Sequence, residues 1–196
     1  MHYFILNAER GASFQGESLI RRRFKVPLKV VDDITAHFGF STTSDTYGED
    51  HTVLLTVQIP GRKYSLLFAI TKAGHFLLKE NRENSGMYGT LIQYQNFVDG
   101  SRHSVFFRRT KDGETLLIVD QEEIEIVPLR DEDQLFAPLA IVGEQNHFIG
   151  EVFIGGATEA VPSLRGFQRF KGCMSSKSIS DISKPHNLLV PKSNIC

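Results

Sequence analysis

Short apolar runs, each closed by turn-forming residues, recur along this chain and restrict its fold more than any other feature. Residues 34–43, ITAHFGFSTT, place Ile34, Ala36, Phe38 and Phe40 on one face, the two-residue period of a half-buried strand. Residues 51–59, HTVLLTVQI, end at Pro60-Gly61, a turn signal, and residues 63–71, KYSLLFAIT, follow as the hairpin partner. GHFLLKE (74–80) reads as the next strand, NRENSGMYG (81–89) as a polar loop, and GTLIQYQNF (89–97) as a strand running into Asp99-Gly100. RHSVFFRRT (102–110) and ETLLIVDQ (114–121) flank KDG, a hairpin with glycine in its turn. EEIEIVPL (122–129) alternates as one more strand, and NHFIGEVFIGG (146–156) ends in a double glycine. No convincing amphipathic helix exceeds about two turns, and strands at ~8–12-residue spacing specify an antiparallel sandwich or barrel. With no internal repeat, low-complexity segment or long linker, residues 1–196 are expected to form a single domain.

Composition agrees. Fifteen Phe and 16 Gly, with no Trp and only 3 Met, suit strands better than helices. Hydrophobic residues at 41% and charged residues at 23% are those of a soluble globule. A formal net charge of -1 creates no demand for nucleic acid or an acidic membrane as partner. No apolar run approaches the ~18 residues that span a bilayer, so no direct membrane insertion is expected. The opening MHYFILNAERG has one short apolar patch but no charged leader or small-residue cleavage site, which makes it a poor signal peptide. An extracellular location would therefore imply that the sequence is part of a larger chain.

There are two cysteines, Cys173 and Cys196, enclosing residues 174–195. They are either two unrelated buried thiols, the ordinary state in a cytosolic protein, or a bridge made in an oxidising compartment. A terminal cysteine suits a core poorly, because chain ends fray, whereas a bridge would pin the end to the body at a gain of ~3 kcal/mol.

FQRFKGCMSS (167–176) resembles the glycine-cysteine strand near the end of laminin G-like (laminin/neurexin/sex-hormone-binding-globulin) domains. Phe170, Gly172, Cys173 and Cys196 match that family's aromatic-x-Gly-Cys strand and its second, terminal cysteine. FVDGSRHSVFFRRTKDGETLLIVD resembles the family's Asp-Gly-x-Trp-His-x-Val hairpin, with Asp99, Gly100, His103, Val105, Arg108, Val119 and Asp120 in place. Arg102 replaces the common tryptophan. ITAHFGFSTTS resembles an early family strand, and EVFIGGATEAVP the strand ending in Gly-Gly before the cysteine strand. The likeness covers nearly the whole chain. It implies an all-β, antiparallel jelly-roll β-sandwich (laminin G-like, concanavalin-like), a Cys173–Cys196 disulfide bond, and life outside the cell as a secreted protein or a membrane-protein ectodomain.

The resemblance also implies a calcium ion at the sandwich rim. Asp50, directly before HTVLLTVQI, would supply a carboxylate, with Asp45 as its rival. A carbonyl near Ala69, give or take two residues, would come from the hairpin partner. Asn146 would add its side chain beside a Gln145 or Glu144 carbonyl. Calcium takes such oxygen ligands in irregular geometry, and one carboxylate with one amide makes a weak site of the extracellular kind. The plainer alternative is that Asp50 and Asn146 shape turns, as these residue types commonly do.

RRRF with Lys25 (21–25) and FFRRTK (106–111) are the basic runs. Arg21, Arg23 and Lys25, or Arg108 and Arg109, would form sulfated-glycan patches if their side chains converged. Alternation sends Arg22 to the opposite face, so no more than part of the first run forms one patch, and a solvated edge strand protected by its charge is the preferred reading. The seven histidines are scattered without zinc spacing. There is no G-x-S-x-G or P-loop sequence and no N-x-[ST] sequon, and Asp32-Asp33 and Glu122-Glu123 would point to opposite faces. The chain is thus expected not to be an enzyme. The reading is an adhesion or recognition module of an extracellular matrix or cell-surface protein, binding protein receptors or acidic glycans. The alternative is a structural spacer with no ligand of its own.

Overall fold

The computed structural model describes residues 11–17, 19–27, 34–43, 51–59, 64–82, 86–110, 112–129, 147–156, 164 and 166–180. Its strands in chain order are β1 (Gly11–Gln15), β2 (Ile20–Pro27), β3 (Ile34–Ser41), β4 (Thr52–Ile59), β5 (Tyr64–Ile70), β6 (Phe76–Arg82) and β7 (Gly86–Ile92), then β8 (His103–Arg109), β9 (Thr115–Val119), β10 (Glu122–Ile124), β11 (Val127–Pro128), β12 (His147–Ile154), β13 (Gln168–Arg169) and β14 (Lys171–Ser180). They form a six-stranded sheet, β1-β14-β3-β8-β9-β10, and an eight-stranded sheet, β11-β7-β6-β5-β4-β12-β2, with β13 alongside β4. Apart from the short parallel β13–β4 contact, the pairings are antiparallel.

The sandwich arises from alternation. In β3, Ile34, Ala36, Phe38 and Phe40 turn inward, and in β8 and β9 Val105, Phe107, Leu117 and Val119 do so. The eight-stranded sheet answers with Leu66, Phe68, Phe76 and Leu78. Phe68 meets Phe38 edge-on at 5.3 Å between ring centres and Phe107 at 5.7 Å, so aromatic rings interlock between the layers. β4 and β5 are buried along their whole length because the outer face of their sheet carries a second core. There Val53, Leu67, Ala69, Leu77, Met87 and Phe153 pack beneath Leu164. This is why HTVLLTVQI is nearly continuous in apolar residues rather than alternating.

Three strand boundaries depart from the sequence expectation. Asn81 and Arg82, expected in a loop, end β6, and Gly86–Gly89 begins β7 with Arg82 opposite Gly86. Polar residues occupy a strand here because Glu80 and Arg82 pair with each other at the end of the interior. The strand expected over 89–97 stops at Ile92, after which Phe97 turns into the core and Asn96 Oδ1 accepts the Val98 N–H at 2.9 Å. EEIEIVPL is not one strand. Glu122–Ile124 belongs to the six-stranded sheet and Val127–Pro128 to the other, while Ile124 and Ile126 pack against the core as the backbone crosses.

β9 and β10 are joined by Asp120 and Gln121, both in the left-handed region at φ 49° and 76°. Two-residue hairpins need this mirror-image turn, and a non-glycine residue held there is disfavoured by ~1 kcal/mol. Gln121→Gly is expected to raise stability by about 0.5–1 kcal/mol in denaturant titration. A loss would mean that the glutamine side chain contributes more than its backbone strain costs.

Candidate functional site

β6 ends inside the sandwich with a buried carboxylate. Glu80 is fully enclosed and bridges the two sheets. Its Oε1 accepts the Tyr64 hydroxyl at 2.9 Å, and its Oε2 accepts Arg82 Nε at 2.7 Å. From β8, Arg109 Nε lies 2.9 Å from Oε1, an ion pair by distance rather than an aligned hydrogen bond. Burial, then the Glu80 charge, push the Tyr64 phenol well above its ordinary value, so it remains a donor to Glu80. Arg82 also donates from Nη2 to Thr115 Oγ1 at 2.7 Å and lies flat over the Tyr88 ring, 3.8 Å from its centre. Outside this cluster is a groove of about 520 Å³, lined by Arg82, Tyr88, Thr115, Glu123, Ile124, Glu125 and Ile126. Its far wall is the segment that crosses between the sheets.

A second polar cluster holds the loop between β7 and β8. His103 is buried under Phe40 and Phe97, and both ring nitrogens face carboxylates. Nδ1 lies 2.6 Å from Asp120 Oδ2, and Nε2 lies 3.1 Å from Asp99 Oδ1. Partial desolvation works against ionisation of Asp99, but the Ser101 N–H and His103 outweigh it and hold the carboxyl below its ordinary value. Asp120 Oδ1 accepts the Ser104 N–H at 2.7 Å. The Asp-Gly-x-x-His stretch therefore ties a loop to a hairpin turn. Arg102 donates from Nη2 to Ser175 Oγ at 2.7 Å across the outer face of the six-stranded sheet. On the same loop Tyr94 donates its hydroxyl to Glu122 at 2.6 Å, and that bond pushes the phenol up to about 12.

The residues expected from sequence fall in several places. Asp50, Gln145 and Asn146, with the alternatives Asp45 and Glu144, lie outside the described residues. Ala69 is buried on β5 between Val53 and Leu77. Among the described residues no group of three His, Cys, Asp or Glu could hold a metal ion. Cys173 stands on β14 opposite Ser13 and Ser41 and is not a free thiol, while Cys196 lies outside the described residues.

The basic residues are divided between the sheets. Among the described residues β2 is an edge strand of the eight-stranded sheet, and there Arg21 Nη2 and Arg23 Nε converge on Glu151 Oε1 at 2.5 and 2.6 Å. Arg21 also lies over the Phe153 ring. Lys25 follows on the same strand. Arg108 is exposed on the six-stranded sheet, whereas its neighbour Arg109 points inward to Glu80. The two runs do not form one patch.

No family model matches the sequence. The structure is similar to the LG1-3 region of the laminin α2 chain, with a TM-score of 0.54 and 16% identity over 86% of this chain and 30% of that one. The chain thus spans about a third of that laminin region. It is also similar to the heptameric SAP-like pentraxin of Limulus polyphemus, with a TM-score of 0.51 and 12% identity over 89% of this chain and 78% of that one. A weaker likeness is to the CBM40 of the Ruminococcus gnavus IT-sialidase, at a TM-score of 0.46 and 14% identity over 88% of this chain and 93% of that one. The first two establish the fold as the laminin G-like, concanavalin-like jelly roll that the sequence resembles.

Proposed function

We propose that this domain is an extracellular recognition module of an adhesive matrix or cell-surface protein, one that holds a protein or glycan ligand and performs no chemistry on it. The observation that carries the reading is the groove at the end of a rigid sandwich, where charged, aromatic and aliphatic side chains stand together around open space. Its fold is shared with laminin and pentraxin domains, which makes the reading coherent, although a fold by itself assigns no ligand.

Within this reading Cys173 and Cys196 form the terminal staple of an oxidising compartment. A calcium ion would sit at the rim on the Asp50 and Asn146 side chains with carbonyls from Ala69 and Gln145. Hard oxygen donors of this kind suit calcium at the weak affinities of extracellular modules. Arg21, Arg23, Lys25 and Arg108 remain the basic groups nearest to an acidic glycan role; the first two already share Glu151, and Arg109 is taken up inside by Glu80.

Two measurements test this. Millimolar calcium is expected to raise the melting temperature over that in chelator, and Asp50→Ala is expected to abolish the rise, since an ion bound only by the folded state must stabilise it. Screening against immobilised matrix proteins and glycans, in calcium and in chelator, is expected to find a saturable ligand. Failure to find one in either condition would favour the spacer role instead.

A further inference from the structure

We propose that the groove beside Arg82 binds a carboxylate-bearing sugar through the outward edge of the Arg82 guanidinium, without calcium. The proposal rests on the recognition-module reading and names a site and a ligand class within it.

Arg82 is held on three sides. Nε is taken by Glu80, Nη2 by Thr115, and one flat face by Tyr88. Among the described residues Nη1 has no partner, and 14% of the side chain reaches the surface, on the groove side. A guanidinium fixed in this way has already lost its rotamer freedom, so a carboxylate meeting its free edge gains a charge-assisted contact at little further entropic cost. Arg109 also faces the buried Glu80 carboxylate, so Arg82 does not have to neutralise it alone. Among the described residues Arg82 is the one cation lining the groove, at its inner end, with Glu123 and Glu125 on the outer wall.

The outer wall selects which carboxylate. Glu123 and Glu125 are exposed there and would repel a polyanion or a phosphate dianion, while accepting hydrogen bonds from neutral hydroxyls. Ile124, Ile126 and Tyr88 offer apolar surface to C–H groups. One carboxylate, several hydroxyls and an apolar face on one small molecule describe a sugar acid. The volume, about 520 Å³, lies within the ~300–1,000 Å³ of small-ligand sites. The groove is also distinct from the expected calcium rim. β4 begins at Thr52 opposite Ile70, and Ile70 pairs with Phe76 at the start of β6, whereas Arg82 ends β6.

The test is a two-dimensional NMR titration of the isotope-labelled 196-residue chain in chelator, with D-glucuronic acid, D-glucose, sodium acetate and a short Asp-containing peptide as probes. Glucuronate is expected to give saturable shifts at Tyr88, Thr115, Ile124 and Ile126, with glucose and acetate each about tenfold weaker because each offers half of the recognised groups. Arg82→Lys keeps a cation for Glu80 but loses the planar fork, and is expected to weaken glucuronate about tenfold. Glu125→Ala, on the exposed wall, is expected to leave the spectrum folded and weaken glucuronate by roughly threefold through a lost hydroxyl contact. Shifts confined to other surfaces would overturn the groove while leaving the recognition reading intact. So would acetate matching glucuronate, a peptide binding more tightly than the sugar, or Arg82→Lys binding unchanged. Silence from every probe would also overturn the groove, and the screen of immobilised ligands would still decide the wider reading.

Discussion

An alanine in place of Glu80 is expected to lower the stability of the domain by about 3–5 kcal/mol, the usual result of removing one member of a buried ion pair. The carboxylate is fully enclosed and receives Tyr64, Arg82 and Arg109 from three strands in two sheets. Without it, two guanidiniums and a phenol remain at the end of the interior with less to neutralise or accept them. Their desolvation is the larger part of the loss, and the missing contacts are the smaller part. Against a typical total of ~5–15 kcal/mol, such a change would leave the fold marginal at body temperature. Glu80→Gln keeps the volume and an acceptor for Tyr64 and should lose less. Urea denaturation of the three proteins measures the difference. A loss below about 1 kcal/mol for the alanine variant would show that water reaches the cluster and screens it.

Gly172→Ala is expected to be comparably damaging, at about 3 kcal/mol or more, because overpacking against backbone adds to conformational strain. Gly172 adopts φ 145°, and a methyl group there would overlap the Ser41 carbonyl oxygen and the Phe170 ring. Neither neighbour can yield. Ser41 is paired across the sheet to Cys173, and Phe170 is buried edge-on against Phe14. Gly86 provides the comparison. It also has positive φ, at 88°, but nothing lies within 4 Å of the added carbon. Gly86→Ala is expected to cost only the backbone strain of ~1 kcal/mol. Thermal melts of the two variants separate close approach from strain. If they lose equally, Gly172 is present for its dihedral angle alone.

These two residues also show what the sequence revealed. The Phe-Lys-Gly-Cys stretch was legible because its residues stand close together in sequence, Phe170 just before β14 and Gly172 and Cys173 on it, although the Ser41 carbonyl that demands the glycine lies across the sheet. The fold class was legible for the same reason, since alternation in ITAHFGFS repeats within a few residues and reports a single buried face. RRRFK has the charge of an edge strand, and β2 is at an edge among the described residues. The Glu80 cluster was not legible. Asn81 and Arg82 have loop-like polarity, and the partners that hold Arg82 in a strand include Thr115, 33 residues away on the other sheet. The groove was hidden for the same reason, as its walls come from β6, β7, β9 and the β10–β11 crossing. That crossing could not be inferred from EEIEIVPL, whose alternation holds from Glu123 to Ile126, over the residues where the backbone leaves the first sheet. The basic runs misled in the opposite way. They are contiguous in sequence, but alternation and topology send Arg108 outward, Arg109 inward, and Arg21 and Arg23 to Glu151.

The position of β14 has a kinetic consequence. It lies between β1 and β3, with Ser13 opposite Cys173 on one side and Phe40 opposite Met174 on the other. The last described strand thus fills an inner place beside the first, and β2 reaches across most of the chain to β12. Contacts of such long sequence separation place the domain among slow folders, on the millisecond-to-second scale of high-contact-order β proteins. On the ribosome the six-stranded sheet would remain open, with β1 and β3 both lacking their shared neighbour, until Lys171–Ser180 emerged. β1 and the outer edge of β3 would wait unpaired for this last described strand, the interval in which chaperone protection matters most.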